Sequence, residues 1–337
     1  MDQPRSQRRV TLADIAARTG YSRAHVSLVL RGAPGASEES RARVLTVARD
    51  LGYRPDPRAR SLAGPRSWTL GAMFGQASTF HMEMIDGVYT AAEASGYSVA
   101  LSAMTPHRDE AQALATLNDF RTDGLIMLGP ATANPVLAGQ RPVAVIGWHV
   151  DDPTVDSVYT SDAQGIEIAV AHLVELGHRR IAHIDGGDGL VAHSRRSSYE
   201  AAMRRHGLAE QVRLYRGGET QLEGQRAALE VIQADIRPTA VICYNDDIAL
   251  AAIPIFEHHG LGVPRDISVV GWDDNALAQA SPVPLTTVRQ DPLGLAKAAV
   301  SRLIDRIGGA VGEVEDAVLD ASLVVRDSSA PYSGTSY

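Results

Sequence analysis

The sequence predicts a small all-α head joined to a doubly wound α/β body of two lobes, and three observations predict it. Charge separates by segment. Residues 1–66 carry 13 arginines against 6 acids, a net of +7, and residues 67–337 carry 19 basic against 34 acidic residues, a net of −15, within a total of −8. Apolar periodicity switches near residue 67 from helix alone to alternating strand and helix. The 337 residues exceed what a single small core supports, so more than one domain is expected. One cysteine, Cys243, excludes a disulfide scaffold and fits a reducing compartment. No apolar run reaches the roughly 18 residues that span a bilayer. Residues 1–9 are basic with no apolar stretch behind them, so a cytoplasmic protein without an export signal is expected.

The head divides into short helices. Thr11 caps the first, whose apolar face is Leu12, Ile15, Ala16 and Ala17, and Thr19-Gly20-Tyr21 breaks it. Ser22 caps the second, with Val26, Val29 and Leu30 turned inward. After the loop 31–35, Ser37 opens a third helix with Glu38 and Glu39 at the positive end of its dipole. Its buried face is read as Ala42, Val44, Leu45, Val47, Ala48 and Leu51, and Gly52 ends it. Residues 53–66, YRPDPRARSLAGPR, form a linker with one more helix signal: Asp56 as cap, Pro57 in first position, then Ala59, Ser61 and Leu62. Two turns are unstable alone in water, so this helix needs a partner.

In the body, strands are expected at 69–74, 98–103, 124–128, 143–146, 180–185, 240–244 and 268–271. They are short, rich in Val and Ile and apolar throughout, as parallel strands covered on both faces must be. Helices are expected at 82–94, 108–121, 162–176, 195–205, 223–234, 247–259 and 294–307. Such alternation over roughly 270 residues makes two doubly wound lobes. The Ser/Gly/Tyr-rich tail after Asp327 is expected to fray.

A helix, a turn with Gly, and a second helix opening on Ser form a helix-turn-helix. The second helix enters the major groove by its start, here Ser22-Arg23-Ala24-His25. Arg23 can donate two hydrogen bonds to guanine and Ala24 can touch a thymine methyl. His25, Ser27 and Arg31 are placed to meet phosphates. The competing reading is an ordinary αα-hairpin with solvated arginines, but a local net of +7 in an acidic protein favours nucleic acid.

The blocks Val10-Thr11-Leu12-Ala13-Asp14-Ile15-Ala16, Gly20-Tyr21-Ser22 with Val26-Ser27, and Tyr53-Arg54-Pro55 with Ala59-Arg60-Ser61-Leu62-Ala63 resemble the LacI/GalR family of bacterial repressors, spacing included. Further blocks extend the resemblance to about residues 9–327, among them Asp123-Gly124-Leu125-Ile126, Leu176-Gly177-His178-Arg179-Arg180-Ile181 and Asp266-Ile267-Ser268-Val269-Val270-Gly271. The resemblance implies a homodimer on a pseudo-palindromic operator, a linker helix ordered on DNA, and a leucine wedge in the minor groove at Leu62. The DNA-binding set is then Thr11, Ser22, Arg23, Ala24, His25, Ser27, Leu28, Arg31, Ala59 and Leu62. Leu28 stands where the family often has Arg, so readout there is apolar, and Asp56 replaces the usual Asn cap.

The resemblance also implies that the body is similar to periplasmic sugar-binding proteins, with three crossovers and a ligand in the cleft. The expected divisions are 1–52 for the helix-turn-helix, 53–66 for hinge and linker, 67–158 with 289–322 for one lobe, and 159–288 with 323–337 for the other. Ligands in such sheets lie beyond the carboxyl ends of strands. The candidates there are Phe80, His81, Trp148, Asn245, Asp246, Trp272 and Asp273. Arg195, four residues before Tyr199, matches the family's pocket arginine, and Gln290 sits at the return crossover. Aromatic rings for a pyranose face with Asp, Asn and Arg for hydroxyls outline a carbohydrate site, in which Arg195 and Asp273 stand out because as a buried pair without a hydroxylated ligand they would be costly. Gly186-Gly187-Asp188-Gly189 does not fit a nucleotide-binding motif, the histidines lack metal-site spacing, and no nucleophile–base pairing is evident. No cofactor, metal or catalysis is therefore expected. The sequence reads as a ligand-responsive repressor of carbohydrate-utilisation genes. The alternatives are a transport solute-binding protein and a co-repressor-dependent regulator with a non-sugar ligand.

Overall fold

The computed structural model describes residues 10–30, 34–53, 66–75, 78–105, 107–129, 141–218, 220–310 and 316–334. The chain divides into two compact units, Met1–Ser67 and Trp68–Tyr337.

The first unit contains α1 (Leu12–Thr19), α2 (Arg23–Leu30) and α3 (Glu38–Asp50). The Asp14 carboxylate closes the start of α1 by accepting from the Thr11 N–H at 2.8 Å and the Thr11 hydroxyl at 2.7 Å. Gly20, at φ 79°, ends α1 in the left-handed conformation that glycine adopts without steric cost. Ser22 Oγ accepts from the His25 N–H at 3.1 Å, and Ser37 Oγ from the Ser40 N–H at 3.2 Å, so both serines cap as their sequence positions require. Ile15, Val26, Val29, Val44 and Ala48 form the core. Ala42 and Leu45, expected inside, are exposed, Leu45 to 43%. Three short helices enclose only a narrow stripe of each, and α3 presents its 44/48 stripe, turning 42 and 45 to solvent. The helix signal at Asp56–Leu62 lies outside the described residues.

The second unit holds two six-stranded sheets. Its first lobe contains β1 (Thr69–Phe74), α4 (Thr79–Ala94), β2 (Ser98–Ala103), α5 (Glu110–Asp119), β3 (Gly124–Leu128), β4 (Val143–Ile146) and β5 (Val155–Thr160). The second contains α6 (Asp162–Glu175), β6 (Ile181–Ile184), α7 (Leu190–Arg205), β7 (Leu214–Tyr215), α8 (Gln221–Gln233), β8 (Ala240–Cys243), α9 (Asp246–His258), β9 (Ser268–Asp273), α10 (Ala276–Ala280) and β10 (Thr286–Arg289). The chain then returns through α11 (Pro292–Ile307) and β11 (Ala317–Leu319) to the first lobe, and β12 (Ser322–Val324) ends in the second. The orders are β11-β5-β4-β3-β1-β2 and β12-β10-β9-β8-β6-β7, every pair parallel except β10 with β12. Separate apolar clusters cover both faces of each sheet. Among the described residues no helix is long and apolar enough to cross a membrane.

Differences from the sequence reading have identifiable causes. The strand list omits β5 because its polar positions hide its burial. Asp156 is 2% exposed and is held by Arg306 at 2.9 Å and Arg302 at 3.6 Å, both from α11. β7, β11 and β12 are too short to show a period of two. α4, α8, α9 and α11 begin one to three residues earlier than apolar periodicity suggests, because Ser78, Thr220, Asn245 and Asp291 cap them upstream. The tail does not fray over its described part. Ser328 is fully buried, donating to the Val269 carbonyl at 2.6 Å, and the Tyr332 N–H donates to the Leu176 carbonyl at 2.8 Å.

Candidate functional site

In the first unit, the capped start of α2 leaves Ser22, Arg23 and Ala24 exposed, and Thr11 at the start of α1 is exposed too. Ser27 and Leu28 are half-buried beside the inward-facing Val26 and Val29. His25 departs from the expectation of a phosphate contact. Its ring packs against Tyr21 at 4.9 Å, and its enclosed Nε2 has no hydrogen-bond partner among the described residues. Arg31, Ala59 and Leu62 lie outside the described residues.

In the second unit, the carboxyl ends of β9 and β10 meet the middle of α7. Arg195, 6% exposed, donates from Nε to Asp162 Oδ1 at 3.0 Å and from Nη1 to the Tyr244 carbonyl at 2.6 Å. Its guanidinium carbon lies 4.2 Å from the centre of the Trp272 ring and 4.7 Å from that of Tyr244, a double cation–π contact. Next to it, Gln290 Nε2 donates to Asp273 Oδ1 at 2.8 Å. Asp273 and Asp274 both have positive φ, 116° and 56°, a strained pair of the kind that clusters at functional sites. Burial, with the charges of Asp247 and Glu83, pushes the Asp273 carboxyl up to about 7 against the opposing pull of Arg195 and Gln290. His81, in the first turn of α4, is held neutral. Burial foremost, then the Arg195 charge, lowers it to about 4, and its Nδ1 lies 2.7 Å from Ser78 Oγ.

The structure thus brings Arg195, Trp272, Asp273 and Gln290 together, with His81 within the field of Arg195. Several expectations change. Arg195 takes its ion pair from Asp162, not from Asp273. Trp272 and Asp273 end β9 rather than following it. Trp272 is fully buried, with Arg195 over its ring, so that face is closed to a sugar and the ring serves as a support for the guanidinium. Asp246 is also fully buried. It accepts from Thr287 Oγ1 at 2.6 Å and the Asn275 N–H at 2.9 Å, which makes it a brace between α9 and β10 rather than a cleft group. Asn245 Oδ1 caps α9 by accepting from the Ile248 N–H at 2.9 Å. Phe80 belongs to the core of the first lobe. Trp148 packs with Leu190 and Val191 of α7 and borders an open cavity of about 250 Å³ shared with Tyr159, Asp162, Ser194 and Ser198. Asp162 and Tyr244, which hold Arg195, escape sequence reasoning. The signals available were Asp162 as the first residue of the expected helix 162–176 and Tyr244 as the last of the expected strand 240–244.

Comparison with known proteins finds "Bacterial regulatory proteins, lacI family" over residues 11–56 and "Periplasmic binding protein-like domain" over residues 170–329. The HTH-type transcriptional repressor PurR of Photobacterium profundum is 29% identical over 330 residues, covering 94% of this chain and 98% of that one. A solved LacI transcriptional regulator from a Rhodococcus species is 38% identical with a TM-score of 0.74, covering 78% of this chain and 98% of that one. The lac repressor dimer bound to operator and the anti-inducer ONPF is 29% identical with a TM-score of 0.82, covering 96% and 100%.

Proposed function

The chain belongs to the lacI family of bacterial regulatory proteins, and from that premise we propose how its own residues do the family's work. It is a DNA-binding transcriptional regulator, not an enzyme, acting as a dimer on operator DNA under the control of a small effector. A place in the cytoplasm follows from that role. The observation that carries the reading is the exposed Ser22-Arg23-Ala24 end of α2 on a segment of net charge +7, in a chain whose remainder is −15. Arginine–phosphate contacts supply most of the affinity. Arg23 and Ala24 read base edges, Leu28 adds an apolar contact, and Leu62 wedges into the minor groove.

The effector, a sugar or sugar derivative, occupies the cleft at Arg195, Asp273, Gln290 and His81. Bridging both lobes, it changes their closure and so the spacing of the two DNA-binding heads of the dimer. Coupling of this kind is reciprocal: whatever effector binding does to operator affinity, operator binding does to effector affinity. The test is selection of bound duplexes from a randomised pool, followed by titration of the selected duplex with sugars. A two-fold symmetric consensus whose affinity changes with a sugar supports the reading. Binding without sequence preference, or turnover of the sugar, would defeat it.

A further inference from the structure

We propose that the effector is an electrically neutral polyhydroxyl compound, and that the cleft rejects the uronate and phosphate-ester relatives of the same compound. The proposal rests on the cleft being the effector site. An anion is clamped by a guanidinium that turns its fork toward it. Arg195 is poorly placed to do so: Nε is committed to Asp162, Nη1 already donates to the Tyr244 carbonyl, the rings of Tyr244 and Trp272 cover its faces, and only its remaining Nη protons are left for a ligand. Its single charge is matched by Asp162 before any ligand arrives.

The other ionisable groups acting on the site are acids from both lobes. Among the described residues Asp273 bonds the side chain of Gln290 alone, and it feels the charges of Asp247 in α9 and Glu83 in α4 and is coupled to Asp246. Asp274 is occupied by Arg289 and Arg326. The one lysine of the chain, Lys297, is exposed on α11. His81 supplies no charge. Ser78 Oγ accepts from the His81 backbone N–H at 3.3 Å and lies 2.7 Å from Nδ1; with the hydroxyl donating to Nδ1, the tautomer we assign, the ring proton sits on Nε2, beside Gly129 just past β3. A carboxylate or phosphate entering here is desolvated beside acidic groups whose ionisation is already disfavoured, with no cation at the site, among the described residues, beyond the already paired Arg195. A hydroxyl, which both donates and accepts, satisfies Asp273 and the histidine N–H at once.

Calorimetry and thermal shift on the full chain with matched pairs test this: ribose against ribose 5-phosphate, glucose against glucuronate and glucose 6-phosphate, galactose against galacturonate, inosine against inosine monophosphate. In the pair whose neutral member binds, the anion is expected to bind at least about a hundredfold more weakly, as befits like charges brought together. Glu83→Gln should narrow that ratio several-fold. An anion that binds as tightly as its neutral parent overturns the proposal and leaves the cleft reading standing. Failure of every pair, in a chain that still selects an operator, overturns the proposal together with the cleft reading but not the DNA-binding one.

Discussion

Replacing Asp273 by Asn should remove a pH dependence of stability that the cleft builds in. The folded carboxyl titrates near 7 and an unfolded one near the ordinary 3.8, because burial and the neighbouring acids disfavour the ion. That difference is worth on the order of 4 kcal/mol. Below pH 3.8 the carboxyl is protonated in both states and no penalty exists. Between about 4 and 7 the unfolded chain ionises first, so native stability falls as pH rises, and above 7 the loss is complete. The amide introduced by D273N cannot ionise, and its oxygen keeps the acceptor that Gln290 uses. Asp247 and Glu83, also raised, titrate in both proteins, whereas Asp246 loses in D273N the Asp273 charge that helps raise it and so adds to the difference in the same direction. The assay is urea unfolding of both chains from pH 4 to 8, followed by tryptophan fluorescence. The stability of D273N relative to the parent should rise by about 2–4 kcal/mol across that range. Parallel curves would refute the assignment. An effector whose hydroxyls satisfy Asp273 restores its ionisation, so binding near pH 7 should also release a proton, read as a dependence of binding heat on the buffer.

Gly165→Ala in α6 would bring a Cβ to 2.5 Å from the Trp272 ring and 2.9 Å from Val288. Overpacking of about 1–3 kcal/mol should outweigh the ~1 kcal/mol gain in helix propensity and should also weaken effector binding by moving the support of Arg195, whereas an unchanged thermal midpoint would contradict the packing. Asp162→Asn leaves the buried Arg195 without its counterion and should cost about 3 kcal/mol in chemical denaturation, with equal stability of the two chains counting against the ion pair. Arg23→Ala should lose about 1–3 kcal/mol of discrimination at one base pair in each half-site, measured by selection from randomised duplexes; a preserved preference would remove Arg23 from base readout.

Much of the fold was legible because its signals are local. Thr11, Ser22 and Ser37 cap where their positions say, since a cap needs only the next three residues. The apolar runs that became β1, β3, β4 and β8 declare parallel strands without reference to anything distant. β5 was hidden by Asp156, whose burial depends on two arginines about 150 residues downstream. Leu45 shows the opposite failure, an apolar side chain at helical spacing that three short helices cannot enclose.

The candidate site divides along the same line. Strand ends pointed to Trp272 and Asp273 and the return crossover to Gln290, while Arg195 came from the resemblance to a known family. Only the tertiary structure decided what each does: Arg195 paired with Asp162, 33 residues away, Trp272 a platform rather than a sugar face, and Asp246 a brace rather than a ligand. The sequence alone determined which groups the chain owns, which elements carry them, and that a +7 head precedes a −15 body. Whether a buried group is free for a ligand depends on which distant neighbour has already taken its hydrogen bonds and its charge, and that is settled only when the chain has packed.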